Sequence, residues 1–314
     1  MSSREHYQQT YYELGELAEG GNSTTYLAVS KRAVEEVRAQ QGTKQQLEAM
    51  IRQKIVVIKV PRAGTGSLAQ ACDDLRMEIR VLTSRSTKGY HGIVEAIEHH
   101  DDEERDIVWL AMPYILGGAV GNIRTHHPQA LSQKLIWHIM CQVLETLRYM
   151  AFGPRATSDI PSTDGWAPLS HGDMHDYNVL LKPRDSSTLP DTVMIDFGCS
   201  EPAVDEYGTY GPVLKDLTML GDFLTDLIDY SKSPDLANYS DDTQLRRFVE
   251  DLWDPETSET NPDPSSEELK AVFDELISSA SAARSNANLP DACLTDEMFD
   301  DVRFTVNVDG LLPN

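Results

Sequence analysis

Short apolar runs rich in β-branched residues fill the first 115 positions, and longer stretches with apolar residues at helical spacing fill the rest. Residues 14–29 read as strand, glycine-containing turn and strand. Ile55-Val56-Val57-Ile58-Lys59-Val60 is a buried strand by its β-branched run, with a single lysine inside it. Residues 93–97 and 107–112 alternate well enough for two more strands, joined by the acidic turn Asp101-Asp102-Glu103-Glu104. A helix is expected over 68–82. Residues 30–54 are charged and glutamine-rich, with Val34, Val37, Leu47, Met50 and Ile51 loosely at helical spacing. They predict a part-helical insertion, a solvated decoration in the first reading and a partner surface in the alternative one. Residues 1–10 are polar and expected to be mobile.

Further on, Ser132 can cap a helix carrying Leu135, Ile136, Ile139, Met140, Val143, Leu144 and Leu147, in which His138 and Cys141 are packing residues. A second buried helix is expected from Asp216, Leu217, Leu220, Gly221, Leu224, Leu227 and Ile228, with Asp216 at its start. Two more helices are expected over 243–253 and after the capping box Ser265/Glu268, the latter with Leu269, Val272, Phe273, Leu276 and Ile277 on its apolar face. Residues 153–169 and 254–264 read as proline-containing loops, the tail from Asn286 carries no recognisable chemistry, and there is no internal repeat.

A length of 314 residues, 40% of them hydrophobic and 25% charged, suits about two lobes of a globular chain. No apolar run approaches a membrane span, and Met1-Ser2-Ser3-Arg4-Glu5-His6 has no leader character. Cys72, Cys141, Cys199 and Cys293 lie far apart, with neither metal-ligand spacing nor a disulfide framework, which fits a reducing cytoplasm. The formal charge of −24 is uneven: from Cys199 onward there are 26 Asp/Glu against 7 Lys/Arg, a balance of −19 that leaves −5 for residues 1–198. A field of this sign opposes binding to nucleic acid or an anionic membrane.

The sharpest chemical pattern is His171-Gly172-Asp173-Met174-His175-Asp176-Tyr177-Asn178-Val179-Leu180-Leu181, a polar loop running into an apolar strand. Asp173 and Asn178 face one another across it. A second acidic stretch, Met194-Ile195-Asp196-Phe197-Gly198, follows a turn-rich connection. Phosphoryl transfer needs these types: one carboxylate orients the attacking hydroxyl, while an amide and a second carboxylate hold Mg²⁺ on nucleotide phosphates. Upstream, a lysine amid apolar residues needs a charged partner, and Glu78 lies nineteen residues beyond Lys59 on the expected helix.

In this order the pieces resemble the protein kinase-like superfamily over roughly residues 14–228. The resemblance implies an α+β chain of two lobes. Residues 11–115 would be a five-stranded antiparallel sheet with one main helix, and 116–314 a mainly helical lobe with an acidic extension. ATP would lie in the cleft, with Ala18, Gly20 and Ser23 at its phosphates and Thr25, Val57, Met112, Tyr114, Ile115 and Leu180 around the base. Lys59 and Glu78 would position the phosphates, Asn178 and Asp196 would hold Mg²⁺, and Asp173 would take the acceptor hydroxyl proton. His175 would stand where Ser/Thr kinases keep a lysine near the γ-phosphate. Two departures matter: Gly172 replaces the Arg that reads a phosphorylated activation segment, and Asp196 to Asp216 is a short interval without Ala-Pro-Glu. The pattern His-Gly-Asp-x-His-x-x-Asn is also similar to aminoglycoside and choline phosphotransferases. The expected activity is therefore ATP- and Mg²⁺-dependent transfer to a protein Ser/Thr hydroxyl. A small-molecule hydroxyl is the alternative acceptor, and a nucleotide-binding scaffold without turnover is the alternative from another class.

Overall fold

The computed structural model describes residues 1–64, 66–128, 131–155, 166–184, 189–230, 248, 264–287 and 305–312. They form two compact units. One comprises Met1–Thr83, Val94–Tyr114 and the described part of the segment after 300; the other comprises Ser84–Ile93 and the described residues from Ile115 to 300.

In the first unit β1 (Tyr11–Glu19), β2 (Ser23–Ser30), β3 (Val56–Pro61), β4 (Glu98–Asp102) and β5 (Ile107–Pro113) make a five-stranded antiparallel sheet in the order β1-β2-β3-β5-β4. Side chains alternate along a strand, so the register sorts them onto two faces. Thr25 pairs with Lys59, Leu27 and Met112 with Val57, and Leu110 with Lys59; these six share one face. The other face carries Tyr26, Ala28, Ile58, Val60, Trp109 and Ala111, buried together with Tyr7 and Tyr11. α4 (Leu68–Thr83) supplies Glu78 to the Lys59 face.

Tyr7 belongs to α1 (Ser3–Tyr7), so the polar N-terminus is folded rather than mobile. Ser2 caps α1 in a reciprocal capping box with Glu5, and Tyr7 fills the tyrosine-rich side of the sheet. Arg4, Tyr7 and Gln8 all donate to the Glu13 carboxylate of β1; chiefly through Arg4, this holds its pKa down to about 2.

The fourth strand lies at Glu98–Asp102, not at 93–97. Its Glu-His-His-Asp-Asp sequence has no apolar period because it is an edge paired on one side only. Side chains anchor it instead: Tyr11 donates to Glu98 at 2.5 Å, and the His6 and His100 rings stack with centroids 4.0 Å apart. The acidic residues Asp101 and Asp102 are therefore strand, and the turn follows them.

The insertion forms two helices, α2 (Lys31–Arg38) and α3 (Lys44–Arg52), capped by Ser30 and Thr43. Val34, Val37 and Ile51 are buried in one cluster with Val29, Val308 and Leu312, with Leu47 and Met50 packed beside them. The apolar face of the insertion is thus covered by Val29, Tyr12 and Leu14 of the sheet and by the residues around Val308 and Leu312, and that later segment packs in the first unit.

The second unit is built on α6 (Gln133–Phe152), capped by Ser132 and packed against α8 (Ser266–Asn286), which starts at the Ser265/Glu268 capping box. Within α6, His138 donates from Nε2 to the Pro190 carbonyl (2.8 Å) and accepts at Nδ1 from Arg284 (3.2 Å), and burial lowers its pKa. Around this pair stand α5 (Val120–His126), the short pair β6 (Leu169–Ser170) with β9 (Glu201–Pro202), the hairpin β7 (Val179–Lys182) with β8 (Asp191–Met194), and α7 (Gly211–Tyr230). α7 begins five residues before Asp216, so that residue lies inside the helix, not at its start. The helix expected over 243–253 lies outside the described residues apart from Phe248, whose ring meets Trp137 edge-on. Cys293, residues 156–165 and almost all of 254–264 also lie outside them. Among the described residues no helix is long and apolar enough to cross a membrane.

Candidate active site

In the first unit the alternation of β3 places Lys59, only 7% exposed, on the face opposite the tyrosines. Its Nζ lies 2.7 Å from Glu78 Oε2, and Glu78 is fully buried among the apolar residues of α4. Desolvating two charges is expensive, and an apolar pair of similar volume would pack at least as well. The pair is therefore a functional signal. Thr25, Val57 and Met112 share its face by register, and Ala18 is the β1 partner of Thr25, whose hydroxyl donates to the Ala18 carbonyl (3.2 Å).

Across the turn between β1 and β2, the Gly20 N–H donates to the Ser23 carbonyl (2.8 Å). The turn is also held from below. Arg62 donates from its backbone to Asn22 O (3.0 Å) and from its guanidinium to Gly20 O (3.2 Å), while Asn22 donates to Asp74 of α4 (2.9 Å). Asn22, Arg62 and Asp74 were not singled out from sequence; they are scattered along the chain and carry no local pattern.

In the second unit, β7 and β8 pair Val179 with Met194, and the next rung is the Ile195 N–H donating to Asn178 O (3.0 Å). Asn178 and Asp196 therefore leave the hairpin at the same end. Asp196 has a left-handed backbone, φ 64° and ψ 71°, rare for a residue with a side chain and characteristic of functional positions. Asn178 donates through its amide nitrogen to Asp173 O (2.9 Å) and Asp173 Oδ2 (3.3 Å). Both are acceptors, so the NH₂ group must face them and the Asn178 amide oxygen is turned elsewhere.

His171 ties the two acidic stretches together. Its buried Nε2 meets the Ile195 carbonyl at 3.0 Å and must donate there, which leaves Nδ1 to accept the Asp173 N–H at 3.3 Å. Burial pushes its pKa down, in agreement with this neutral tautomer. From α7, Asp216 accepts the N–H groups of His171 (2.7 Å) and Gly172 (2.8 Å), and burial raises its pKa to about 6 against the pull of those two bonds. Gly172 has φ +81°, and a Cβ there would collide with the Cys199 carbonyl. Downstream, His175 Nε2 lies 3.6 Å from Asp173 Oδ2 while its Nδ1 accepts the Tyr177 N–H (3.2 Å). Through this contact His175 lowers the Asp173 pKa and has its own raised.

Sequence reasoning missed the clamp behind the loop. Arg124 of α5 donates to the buried Asp176 carboxylate at 2.6 Å, and the Gly121 N–H donates to Asp176 O (3.0 Å). An acid at the centre of a polar loop was the available signal. Leu180 pairs with Ala119, and the Leu181 N–H donates to Gly118 O (2.9 Å), so the segment after Ile115 lies along β7. Tyr114 is half-buried at the end of the first unit.

The geometry thus comes in two halves: Ala18, Gly20, Ser23, Thr25, Val57, Lys59, Glu78, Met112 and Tyr114 in the first unit, and Ile115, Asp173, His175, Asn178, Leu180 and Asp196 in the second. The described residues contain no group of three His, Cys, Asp or Glu suited to a metal. Mg²⁺ keeps several waters and takes one or two carboxylates with substrate phosphates, so it needs no such group. The oxygen donors of Asn178 and Asp196 fit it. No protein-family model matches the chain, and no curated protein matches it.

Proposed function

We propose that this chain is an ATP- and Mg²⁺-dependent phosphotransferase of the two-lobed protein kinase-like kind. The observation that carries the reading is the grouping of Asp173, Asn178 and Asp196 at one end of the β7–β8 hairpin, with the amide of Asn178 oriented by Asp173. The buried Lys59–Glu78 pair supports it independently. In this reading Lys59, held by Glu78, takes phosphate oxygens of ATP. Asn178 and Asp196 hold Mg²⁺, which offsets phosphate charge. Asp173 receives the proton of the acceptor hydroxyl as that oxygen bonds to the γ-phosphorus and the bond to ADP breaks. His175, whose pKa the contact with Asp173 raises, offers an N–H to the transferred group.

A protein Ser/Thr hydroxyl is the acceptor we favour. A small-molecule hydroxyl is the second reading, favoured by Gly172, because the loop's His-Gly-Asp arrangement is sterically required rather than a degraded regulatory one. The described cysteines, Cys72, Cys141 and Cys199, are all free thiols, which supports a cytoplasmic setting. The test is incubation of the purified chain with labelled ATP and Mg²⁺, a generic protein substrate and a cell metabolite extract, with Asp196→Ala as control. Label should enter one fraction and depend on Asp196. Equal labelling by wild type and Asp196→Ala, or no transfer to either fraction, would refute the assignment.

A further inference from the structure

The proposed phosphoryl transfer leaves two parts of the chain unused: the insertion after β2 and the C-terminal tail. They meet each other. We propose that the α2–α3 hairpin is a built-in peptide receptor, and that its ligand is the chain's own segment 305–312, bound in cis.

The contact has the features of peptide recognition. Val308 and Leu312, 1% and 6% exposed, are buried in the cluster that holds Val34, Val37 and Ile51, and Val306 and Leu311 pack beside them. Side chains at alternating and paired positions give the segment its Val-x-Val-x-x-Leu-Leu pattern. Its main chain is also read. Arg52 Nη1 donates to Val306 O at 3.0 Å, and Arg38 Nε donates to Leu311 O at 2.7 Å. The segment adds no strand to the sheet, so these guanidinium–carbonyl bonds stand where a β-ladder would otherwise fix it.

Charge favours the same pairing. Residues 30–54 carry six Lys/Arg against three Glu, a balance of +3 in a chain of −24. Residues 287–312 carry five Asp, one Glu and one Arg, a balance of −5, of which segment 305–312 itself contributes −1 through Asp309. The hairpin needs this ligand. Its helices have 8 and 9 residues, too few to persist by propensity alone, and without the tail the part of their apolar face that Val29, Tyr12 and Leu14 do not cover would be open to water. The order of the hairpin is therefore conditional on tail occupancy.

The experiment uses the full chain with Val308→Asp and Leu312→Asp, followed by amide exchange and addition of a synthetic peptide of residues 301–314. Exchange in α2 and α3 should accelerate at least tenfold while α6 keeps its protection, and the peptide should restore slow exchange in trans. Restoration should weaken as salt screens the charge pairing. Unchanged protection in α2 and α3, loss that spreads equally to α6, or failure of the peptide to restore protection would each overturn the proposal. If the double variant does not fold, the full chain with Leu312→Ala gives the same readouts. Protection in the wild-type chain that rises with protein concentration would assign the ligand to a second copy and overturn binding in cis.

Discussion

The carbonyl oxygen of Cys199 fills the space into which a side chain on Gly172 would project, and Gly172 itself sits at φ +81°. Two separate constraints therefore exclude a side chain at this position, where the proposed kinase-like reading would set the phosphate-reading arginine of regulated protein kinases against glycine. Gly172→Ala is expected to lower stability by about 1–3 kcal/mol from backbone strain, with the collision adding to it. It should also abolish turnover, because Gly172 and Asp173 are neighbours on one loop. Thermal unfolding and labelled-ATP transfer check this together; a variant with wild-type values in both would contradict the geometry.

Lys59 and Glu78 should separate activity from stability. Lys59→Met leaves a buried carboxylate without its ammonium partner, which costs about 3–5 kcal/mol of stability. It should also lower kcat/KM by about 10²–10³-fold, the scale of losing one preorganised electrostatic group. Adding Glu78→Gln should return part of the stability and none of the activity, because residues acting as a unit are not additive. Denaturant unfolding and kinetics of the two single variants and the double variant decide it. Two multiplying losses of activity would exclude a coupled pair.

The pH profile should carry the imprint of His175. The contact with His175 holds the Asp173 carboxyl below the usual range, so wild type keeps its base ionised to lower pH. In His175→Ala that support is gone, and the acidic limb of kcat/KM should move to higher pH. The raised pKa of His175 predicts the opposite limb: wild-type activity should fall as pH rises through it, and the variant should lack that fall. Identical profiles for the two proteins would remove His175 from the chemistry.

For the phosphotransferase proposed above, Asp205 should make an activating phosphate unnecessary. Its carboxylate accepts the Thr209 and Tyr207 N–H groups (2.8 and 3.0 Å) and the Thr209 hydroxyl (2.5 Å), and chiefly through that hydroxyl its pKa is lowered. The segment leading into α7 is thus ordered by an anion already in the chain. Phosphatase-treated enzyme should turn over as fast as untreated enzyme, while Thr209→Glu, which sets a second negative charge against Asp205, should slow it. A large loss after phosphatase treatment, recovered on rephosphorylation of Thr209 or Tyr210, would sink this view.

What could be read from the sequence divides along physical lines. Asp173 and Asn178 were legible because five residues of loop bring them face to face, and Asp196 because the family resemblance joined its Asp-Phe-Gly stretch to that loop. Lys59 was legible because a charge inside a β-branched run demands a partner, and the family resemblance pointed to Glu78 as that partner. β4 was misplaced because an edge strand with Glu98 to Asp102 in it carries no period; its position is set by Tyr11 and His6, far away in the chain. The fate of Val34, Val37 and Ile51 was hidden for the same reason, since the residues that cover them lie about 270 positions on. Gly172 was read as a missing arginine, because steric exclusion by Cys199 leaves no trace in local sequence.

The strict alternation of β3 makes this region sensitive to chain length more than to composition. Val57 and Lys59 look one way, Ile58 and Val60 the other, and both sets are committed. Deleting or inserting one residue between Val56 and Lys59 would turn the ammonium toward Tyr7, Tyr26 and Trp109 and send an aliphatic side chain toward Glu78. A change of two residues would restore the facing and displace only the ends. Natural variation in this strand is therefore open to exchange of one aliphatic for another and closed to single-residue indels, and a library built on this scaffold should be diversified by substitution there and by length only in the turns.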